Sequence, residues 1–491
     1  MKSKRMPEVS MVLLVAVLIA AMILTACSPG GGPDNSDAKE SGGNPPSDEE
    51  SKEENPWDEI SDGLPEINFE GYNFRVAARS DNNITKNEVG SDLEETGEII
   101  DDAVYARNLA VKERFNIDIT GFYSASPQTD ARKTVLSGED AYDLILGHCI
   151  EMGATVVQGN YMNWHELPYV DLKKPWYIAD AAETLSINDK AYIMTGEYCS
   201  SIIQMTYCMF FNKQLVKDLE IPDPYETVKQ GRWTLDYIDS LAKSVYRDLN
   251  GNGAKDDEDR YGLITNCRGA AVTYQYSCDN PVMQKDSDGI PQLSFHTPRM
   301  LEIFEKVYNL LFKNDGTLTQ LEYNNELPIW NRGNVLLMNC TFSNAIDLRG
   351  DDIDFGIVPY PKLNEQQEKY LTIGAGYYSV MAAPITVSDP ERTGIIIEAL
   401  NAESYKRVIP AYYEVALKVK YTRDEESVQV LDMILDGRYF DFGYMYDGFQ
   451  GVAFMLDNMF YSQNFNFVSE YEKRESAAIK YYQKIIDKYI E

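Results

Sequence analysis

Short apolar runs alternate with helix-like apolar repeats along the chain after about residue 66. The runs Phe69–Ala78, Ile117–Gly121 and Tyr142–Gly147 have the length and composition of strands. Between them, apolar residues at helical spacing predict helices over about Glu98–Phe115 and Thr129–Leu136. Strands that alternate with helices predict an α/β fold built on a parallel sheet.

Polar residues directly follow the first and third of these strands. Ser80, Asp81 and Asn82 come after the first strand, and His148 comes after the third. Because ligands bind beyond the carboxyl ends of the strands in such sheets, we expect these four residues to line a pocket.

The end of the chain shows only the helical repeat. Apolar residues at helical spacing form two groups: Val430, Ile434 and Leu435, and then Ile479, Tyr482, Ile486 and Tyr489. This pattern predicts an α-helical C-terminal region whose apolar stripes pack on the body.

The first 27 residues have the pattern of an exported lipoprotein. A basic segment, Lys2–Arg5, precedes the apolar segment Met11–Leu24, which is shorter than the roughly twenty residues of a membrane span. Small residues before Cys27 resemble a bacterial lipobox, in which the cysteine carries the lipid. We therefore predict a signal peptide over 1–26 and lipidation of Cys27, with an uncleaved signal anchor as the alternative.

Residues 27–66 contain almost nothing apolar to bury, and they include the acidic run Asp48–Glu54. Such a segment cannot offset its ordering entropy, so we expect a disordered tether between the membrane and a globular body.

Composition narrows the class of protein. The formal net charge of −33 argues against nucleic acid or anionic lipid as a partner for a basic patch. The roughly 425-residue body is too long for one ordinary core and predicts two domains. Aromatic residues make up 12% of the chain, which slightly favours carbohydrate, since their rings can stack on sugars.

The cysteines and histidines give little support for a metal site or for histidine chemistry. The six cysteines after Cys27 are dispersed without a CxxC pair, and the chain has three histidines. We expect buried free thiols, with disulfides as the alternative and Cys267 and Cys278 as the closest pair in sequence.

The segment 248–259 opens like a calcium-binding loop, with aspartate or asparagine at loop positions one, three and five and glycine at six. The predicted ligands are Asp248, Asn250, Asn252, the carbonyl of Ala254, Asp256 and Asp259. Asp259 replaces the usual glutamate at position twelve, which predicts a weaker structural Ca²⁺ site. The alternative is an acidic turn without a cation.

Several segments together resemble family 1 extracellular solute-binding proteins, the sugar-uptake components of Gram-positive ABC importers. The matching segments are Asp140–Leu144, Leu167–Trp176, Met209–Lys213, Gly231–Thr234, Asp354–Lys362, Glu398–Leu400 and Pro410–Tyr413. They cover most of the chain after about residue 70, and they occur in the family's order.

The resemblance implies a two-lobe, periplasmic-binding-protein-like fold of type II with hinge crossovers. It assigns 67–206 and 341–374 to lobe 1 and 207–340 and 375–491 to lobe 2. We expect the crossings near Tyr207–Phe211, Met338–Phe342 and Ala375–Tyr378. The residues expected to border the cleft are Tyr207, Thr341, Phe342, Ser343, Asn344, Tyr377 and Tyr378.

The function implied by the resemblance is capture of a small polar solute, a sugar or oligosaccharide, for delivery to an ABC permease. The chain is then a monomer, lipid-anchored on the extracellular face of the cell membrane, and not an enzyme. Two alternatives stay open: a secreted carbohydrate-active hydrolase that uses two carboxylates, and a surface receptor or adhesin without transport.

Overall fold

The computed structural model describes residues 60–80, 85–321, 325–348, 353–417, 425–448 and 451–491. The elements below lie within one compact unit, Asp62–Glu491. No helix among these residues combines the length and the apolarity that a membrane crossing needs.

The described strands form two main sheets and one hairpin. In chain order they are β1 (Tyr72–Arg79), β2 (Ile117–Ser124), β3 (Leu144–His148), β4 (Tyr207–Asn212), β5 (Tyr261–Asn266), β6 (Met283–Lys285), β7 (Pro291–Leu293), β8 (Thr317–Gln320), β9 (Val335–Thr341), β10 (Phe355–Val358) and β11 (Ser379–Ala382).

Helices cover and connect these sheets. In chain order they are α1 (Lys86–Val89), α2 (Ile99–Phe115), α3 (Pro127–Ser137), α4 (Cys149–Thr155), α5 (Ala179–Thr184), α6 (Ser201–Gln204), α7 (Lys213–Asp218), α8 (Pro224–Lys229), α9 (Leu235–Val245), α10 (Ala270–Ser277), α11 (Pro298–Tyr308), α12 (Glu326–Trp330), α13 (Phe342–Asp347), α14 (Pro390–Glu403), α15 (Ile409–Leu417), α16 (Glu425–Asp436), α17 (Phe442–Met445), α18 (Met455–Tyr461) and α19 (Phe467–Ile490). Short 3₁₀ turns occupy Val156–Gln158 and Trp164–Glu166, and π-helical turns occupy Asn309–Lys313 and Ser404–Val408.

The first sheet has the strand order β11-β3-β1-β2. β1 lies parallel to both β2 and β3, and β11 is antiparallel to β3. The three strands and two helices predicted from the apolar pattern are therefore confirmed. β11 comes from a distant part of the chain, which no local pattern could indicate.

The second sheet has the order β10-β4-β9-β5-β8. β5 is parallel to β8 and β9, whereas β4 is antiparallel to β9 and β10. All seven residues of β9 are buried, because helices cover both faces of a central strand in this kind of sheet.

The strand pairing differs from the expected division of the chain between the lobes. β10 pairs with β4 in the second sheet, and β11 pairs with β3 in the first. The expected division gave 341–374 to lobe 1 and 375–491 to lobe 2, so both strands lie in the opposite lobe. Below, lobe 1 is the part built on the first sheet and lobe 2 the part built on the second.

Three segments join the lobes at the base of the groove between them. Residues 205–207 and 373–375 run antiparallel, with backbone hydrogen bonds of 2.8 and 3.1 Å between them. Phe342, directly after β9, donates its backbone N–H to this pair at 3.2 Å. These crossings meet the expected ranges only at their ends, at Tyr207, Phe342 and Ala375, because most of β4 and β9 belongs to the second sheet.

The C-terminal helices pack on both lobes. Near the start of α19, Phe467 stacks on Phe295 of lobe 2, with 5.8 Å between ring centroids. At its end, Tyr489 lies 4.9 Å from Tyr192 of lobe 1. Tyr482, Ile486 and Tyr489 are buried as predicted, but Ile479 is half exposed. The terminal stripe is thus packed along only part of its length.

Candidate functional site

The lobe 1 wall of the groove forms where β1 and β3 end and β11 begins. Arg79 donates from Nη1 to the carbonyl oxygen of Tyr377 at 2.7 Å. The His148 and Tyr377 rings meet edge to face, with 5.7 Å between centroids. Nδ1 of His148 accepts the N–H of Ile150 at 3.3 Å, which caps α4 and fixes the ring. Tyr377 is 51% exposed, so its ring is available to a ligand.

A buried carboxylate holds this wall from behind. Glu88 accepts the backbone N–H of Ser201 at 3.1 Å and also the Ser201 hydroxyl. That hydroxyl in turn accepts the N–H of Ser379 at 2.9 Å. Burial raises the pKa of Glu88 to about 7, although these hydrogen bonds and the charge of Arg79 act in the opposite direction. Glu88 therefore ties α1 to α6 and β11 beside the crossings.

The lobe 2 wall forms at the matching edge of the second sheet. Tyr207, the first residue of β4, lies directly opposite Thr341, the last residue of β9. Gly269 has a φ of +78°, and a Cβ there would lie 2.2 Å from the Tyr207 hydroxyl oxygen. Only glycine allows the chain to pass so close to this tyrosine. Arg268 lies over the ring of Tyr461 at 3.7 Å.

Asp457 fixes the start of α10 in the same wall. Its carboxylate accepts the N–H of Gly269 at 2.7 Å and the N–H of Val272 at 3.0 Å. Burial raises the pKa of Asp457 to about 7, despite these hydrogen bonds and the nearby charge of Arg268.

Residues 437–461, which we name the interlobe strap, pass between the two walls, with residues 449 and 450 outside the described range. Tyr444 lies at its centre and donates to the carbonyl of Gly374 at 3.3 Å. Its ring centroid lies 5.8 Å from that of Tyr276 and 5.0 Å from that of Phe454. The strap thus forms an aromatic floor between the lobes.

Groups from both walls lie near the Tyr444 hydroxyl. Burial raises the pKa of Tyr444 well above its usual range, and the neighbouring Cys149, Tyr207, Tyr378 and Asp457 raise it further. Cys149 and Tyr378 belong to lobe 1, whereas Tyr207 belongs to lobe 2. The hydroxyl of Tyr444 therefore lies close to groups of both lobes.

Asp441 anchors the strap to lobe 2. Its buried carboxylate accepts the N–H groups of Val282, Met283 (3.3 Å) and Gly443 (2.6 Å), and also the hydroxyl of Tyr276 at 2.9 Å. Burial raises the pKa of Asp441 to about 6, while these four donors lower it.

A lysine connects the lobes on one side of the groove. Lys285, in the β6–β7 hairpin of lobe 2, donates from Nζ to the carbonyl oxygens of Glu183 and Ser186, the second at 2.7 Å. Both carbonyls lie at the end of α5 in lobe 1. This contact holds the two lobes together in the present conformation.

Nine of the predicted pocket residues fall into three groups. Ser80, His148, Tyr207, Thr341 and Tyr377 lie at or next to strand ends near the crossings, although Thr341 is only 9% exposed. Phe342 and Tyr378 are only 5% and 2% exposed, so their side chains pack in the interior, contrary to the expectation that they border the cleft. Asp81 and Asn82 lie outside the described residues, as does Cys27.

Three partly exposed side chains beside the groove were not predicted from the sequence, Arg268, Phe454 and Tyr461, and neither was the buried Tyr444 beneath them. Arg268 follows β5 by two residues, so the strand-end rule that selected Ser80 and His148 could have found it. The other three belong to the strap, and the sequence carries no local signal for its position.

The predicted calcium loop is folded around its own polar side chains. Asp248 accepts the N–H of Gly251 at 2.6 Å and the N–H of Gly253 at 2.9 Å. Asp259 is fully buried and accepts the N–H of Leu249 at 3.2 Å. These hydrogen bonds close the segment into a ring, with the carboxylates of Asp248 and Asp259 at its two ends.

The side chains of three other predicted ligands, Asn250, Asn252 and Asp256, contact one another within that ring. Nδ2 of Asn250 and of Asn252 lie 3.0 and 2.6 Å from Oδ2 of Asp256. No cluster of three or more His, Cys, Asp or Glu side chains suited to a metal occurs among the described residues. A cation here would therefore depend on the amide oxygens of both asparagines and on the carbonyl of Ala254. Such an all-oxygen donor set fits Ca²⁺.

No protein-family model and no curated protein sequence matches this chain. Solved structures do match its fold. A cyclo/maltodextrin-binding protein in complex with maltotetraose is 14% identical with a TM-score of 0.55, covering 88% of this chain and 99% of that one.

Two further structures match over similar lengths. An ABC substrate-binding protein of Listeria monocytogenes in complex with cycloalternan is 9% identical with a TM-score of 0.52, covering 80% of this chain and 94% of that one. The maltose/maltodextrin-binding domain MalE of Bdellovibrio bacteriovorus, bound to maltotriose, is 12% identical with a TM-score of 0.51, covering 85% and 99%. This chain therefore has the two-lobe α/β fold of the substrate-binding proteins of ABC transporters.

Proposed function

We propose that this chain is an extracellular solute-binding protein that captures a small polar solute and delivers it to an ABC permease. The observation that carries the proposal is the two-lobe fold, in which two sheets are joined by short crossings. Two sheet edges face each other across short crossings, and the strap with Tyr444 lies between them. A ligand that contacts both walls favours the closed conformation, because only that conformation makes both sets of contacts.

Binding without chemical change accounts for the groove better than catalysis does. The buried carboxylates of Asp441 and Asp457 are occupied by backbone N–H donors. His148 uses its Nδ1 to cap a helix. These groups stabilise the walls of the groove through structural hydrogen bonds. Such a role fits a binding protein better than an enzyme.

The ligand class that we propose is a sugar or a short oligosaccharide. Tyr377, Phe454 and Tyr461 bring partly exposed aromatic rings to the groove, and Arg268 and His148 add polar groups beside them. Rings that stack on apolar sugar faces, next to hydrogen-bonding groups, suit carbohydrate. The structural neighbours named above were solved with maltotetraose, cycloalternan and maltotriose.

Attachment and delivery complete the proposal. A lipid on Cys27 would anchor the chain to the outer face of the cell membrane, and the acidic segment that follows it would serve as the spacer up to Asp62, which pairs with Arg114 of the body. A flexible coil of roughly thirty residues would reach ~30 Å, enough for a monomer to approach permease subunits in the same membrane. The strongly acidic chain has no role for nucleic acid in this scheme.

Calorimetry against a panel of malto-oligosaccharides and sugar alcohols tests the function. We expect saturable binding of at least one carbohydrate and recovery of that carbohydrate unchanged after prolonged incubation. Tyr377→Ala should weaken binding about tenfold, or about 1.4 kcal/mol, because an exposed ring of the groove is lost.

A matched control is Tyr169→Ala. Tyr169 is similarly exposed, at 45%, but its loop packs against α14 away from the groove. It should leave affinity unchanged. A turnover product in the incubation would support a hydrolase instead, and equal losses in both variants would argue against the groove as the binding site.

We also propose that the loop 248–259 binds Ca²⁺ as a structural ion. The carboxylates of Asp248, Asp256 and Asp259 lie within one short loop, and Asp259 is fully buried. Mutual repulsion among them, and the burial of one, would be relieved by a divalent cation.

Calcium removal should lower the thermal unfolding temperature of the purified chain. At 100 times its dissociation constant, the ion should add ~2.7 kcal/mol to the free energy of unfolding. Asp248→Asn should abolish the difference between calcium and chelator, whereas Asp286→Asn, in the exposed turn of the β6–β7 hairpin, should retain it. Identical melting of the unmodified chain with calcium and with chelator would refute the site.

A further inference from the structure

Two cysteines face each other at the base of the groove. Cys208 in β4 and Cys340 in β9 are direct partners in the antiparallel register, and their Sγ atoms lie 3.7 Å apart. Directly opposed residues of antiparallel strands have Cα atoms about 4.5 or 5.5 Å apart, and both spacings suit a disulfide. The backbone therefore already holds the two thiols at bonding range, and only side-chain rotation is needed to join them.

The pair that the tertiary structure brings together is not the one closest in sequence. Cys267 donates to the carbonyl of Leu321 at 3.6 Å, and Cys278 lies 3.9 Å from the hydroxyl of Ser277. These two thiols thus have other neighbours. Contact between Cys208 and Cys340 arises only because β4 and β9 pair across 132 positions of the chain.

Burial keeps this pair reduced until an oxidant reaches it. Cys208 is fully buried and Cys340 is 7% exposed. Burial first, and then the adjacent Cys208, raises the pKa of Cys340 well above its usual range. Since the thiolate is the reactive form, exchange should be slow in the folded chain and should begin at the slightly exposed Cys340.

We propose that Cys208 and Cys340 are a redox modification site that closes to a cross-strand disulfide by exchange with a small organic disulfide. The Cys340 thiolate attacks one sulfur of that disulfide, forms a mixed disulfide and releases one small thiolate. The Cys208 thiolate then attacks the Cys340 sulfur, closes the protein bond and releases the second small thiolate. Two protein thiols are oxidised and one small disulfide is reduced to two thiols, so that atoms and electrons balance.

A disulfide between Cys208 and Cys340 would also affect the groove. Each cysteine is one residue from a groove residue, Tyr207 or Thr341, at the point where the strands lead into the crossings. A covalent link here would hold the ends of β4 and β9 together in every conformation. Because it also closes a long loop, it restricts the unfolded chain and should raise the thermal unfolding temperature.

The test exposes the purified chain to oxidised glutathione, then denatures it, alkylates the remaining thiols and maps the peptides by mass spectrometry. We expect a cross-link between the peptides that contain Cys208 and Cys340, with two fewer alkylated thiols than in the reduced chain. Oxidation should also raise the unfolding temperature by several degrees, and a reductant should reverse both changes.

Two variants complete the experiment. Cys278→Ala should retain the cross-link and the thermal shift, whereas Cys340→Ala should lose both. Full alkylation of Cys208 and Cys340 after exposure, or stable glutathione adducts on other cysteines only, would overturn the proposal. Peptide mapping of the unmodified chain gives this answer even if Cys340→Ala does not fold. Because the oxidant is supplied in the test, its outcome does not depend on solute binding.

Discussion

Replacing Asp441 with alanine is expected to lower the free energy of unfolding at pH 7 by about 4 kcal/mol, as is typical when one partner of a buried charged network is removed. The carboxylate accepts the N–H groups of Val282, Met283 and Gly443 and the hydroxyl of Tyr276. Alanine would leave all four donors without this partner in a buried site. Chemical denaturation followed by far-UV circular dichroism measures the loss.

The same substitution should impair ligand binding, because Asp441 attaches the interlobe strap to lobe 2 and Tyr444 lies three residues further along. Asp288→Ala is the control. Asp288 lies in the exposed turn of the β6–β7 hairpin that Asp441 contacts, so its loss should change stability by less than about 0.5 kcal/mol. Equal stabilities of the two variants would mean that the strap does not depend on this carboxylate.

Stability is expected to fall as the pH rises from about 5 to 8. Burial raises the pKa of Glu88, Glu398 and Asp457 to about 7, and that of Asp432 and Asp441 to about 6. In this range the folded chain binds more protons than the unfolded chain, whose carboxyl groups have already ionised. Their contribution is complete below the unfolded pKa values and is lost as the pH passes the folded values.

Each such group contributes a slope of up to about 1.4 kcal/mol per pH unit between its two pKa values. Below about pH 4 the trend reverses, because ion pairs with Arg114 and Arg75 help to lower the pKa of Asp62 and Asp140. Calorimetric scans from pH 4 to 8 should therefore place the highest unfolding temperature near pH 5.

Glu398→Gln is expected to flatten this profile. Glu398 accepts the indole N–H of Trp176 at 3.0 Å and the hydroxyl of Tyr177 at 2.8 Å, and glutamine removes its titration at that site. Glu472→Gln, on the exposed side of α19, should leave the profile unchanged. A profile that is flat or that rises between pH 5 and 8 would contradict the assignment of these buried acids.

Parts of the fold could be predicted because they depend on near neighbours in sequence. β1, β2, β3, α2 and α3 follow directly from the apolar pattern, since each needs only one consistent face to bury. The same rule correctly placed Ser80 and His148 at a sheet edge. It could not place β11, whose partner β3 lies more than two hundred residues earlier.

The residues of the candidate site also divide into those that a local pattern could place and those whose position depends on distant contacts. Tyr207 begins β4 and Thr341 ends β9, next to the crossings, whereas Tyr378 is turned inward and donates to Met445 Sδ at 2.8 Å. Strand position specifies where a residue lies along a sheet, but its packing partners decide whether the side chain reaches the groove. Tyr461 lies under Arg268, and Tyr444 packs beneath the crossings, only because the strap returns between the lobes.

By itself the sequence determined the α/β class of this protein and the order of its first strands and helices, because these properties reside in local periodicity and residue type. Only the tertiary structure decided which lobe receives β10 and β11, where the crossings lie, and that the strap forms the floor of the groove. The physical reason is that contacts between distant segments depend on the summed packing of whole layers, which no short stretch of sequence encodes.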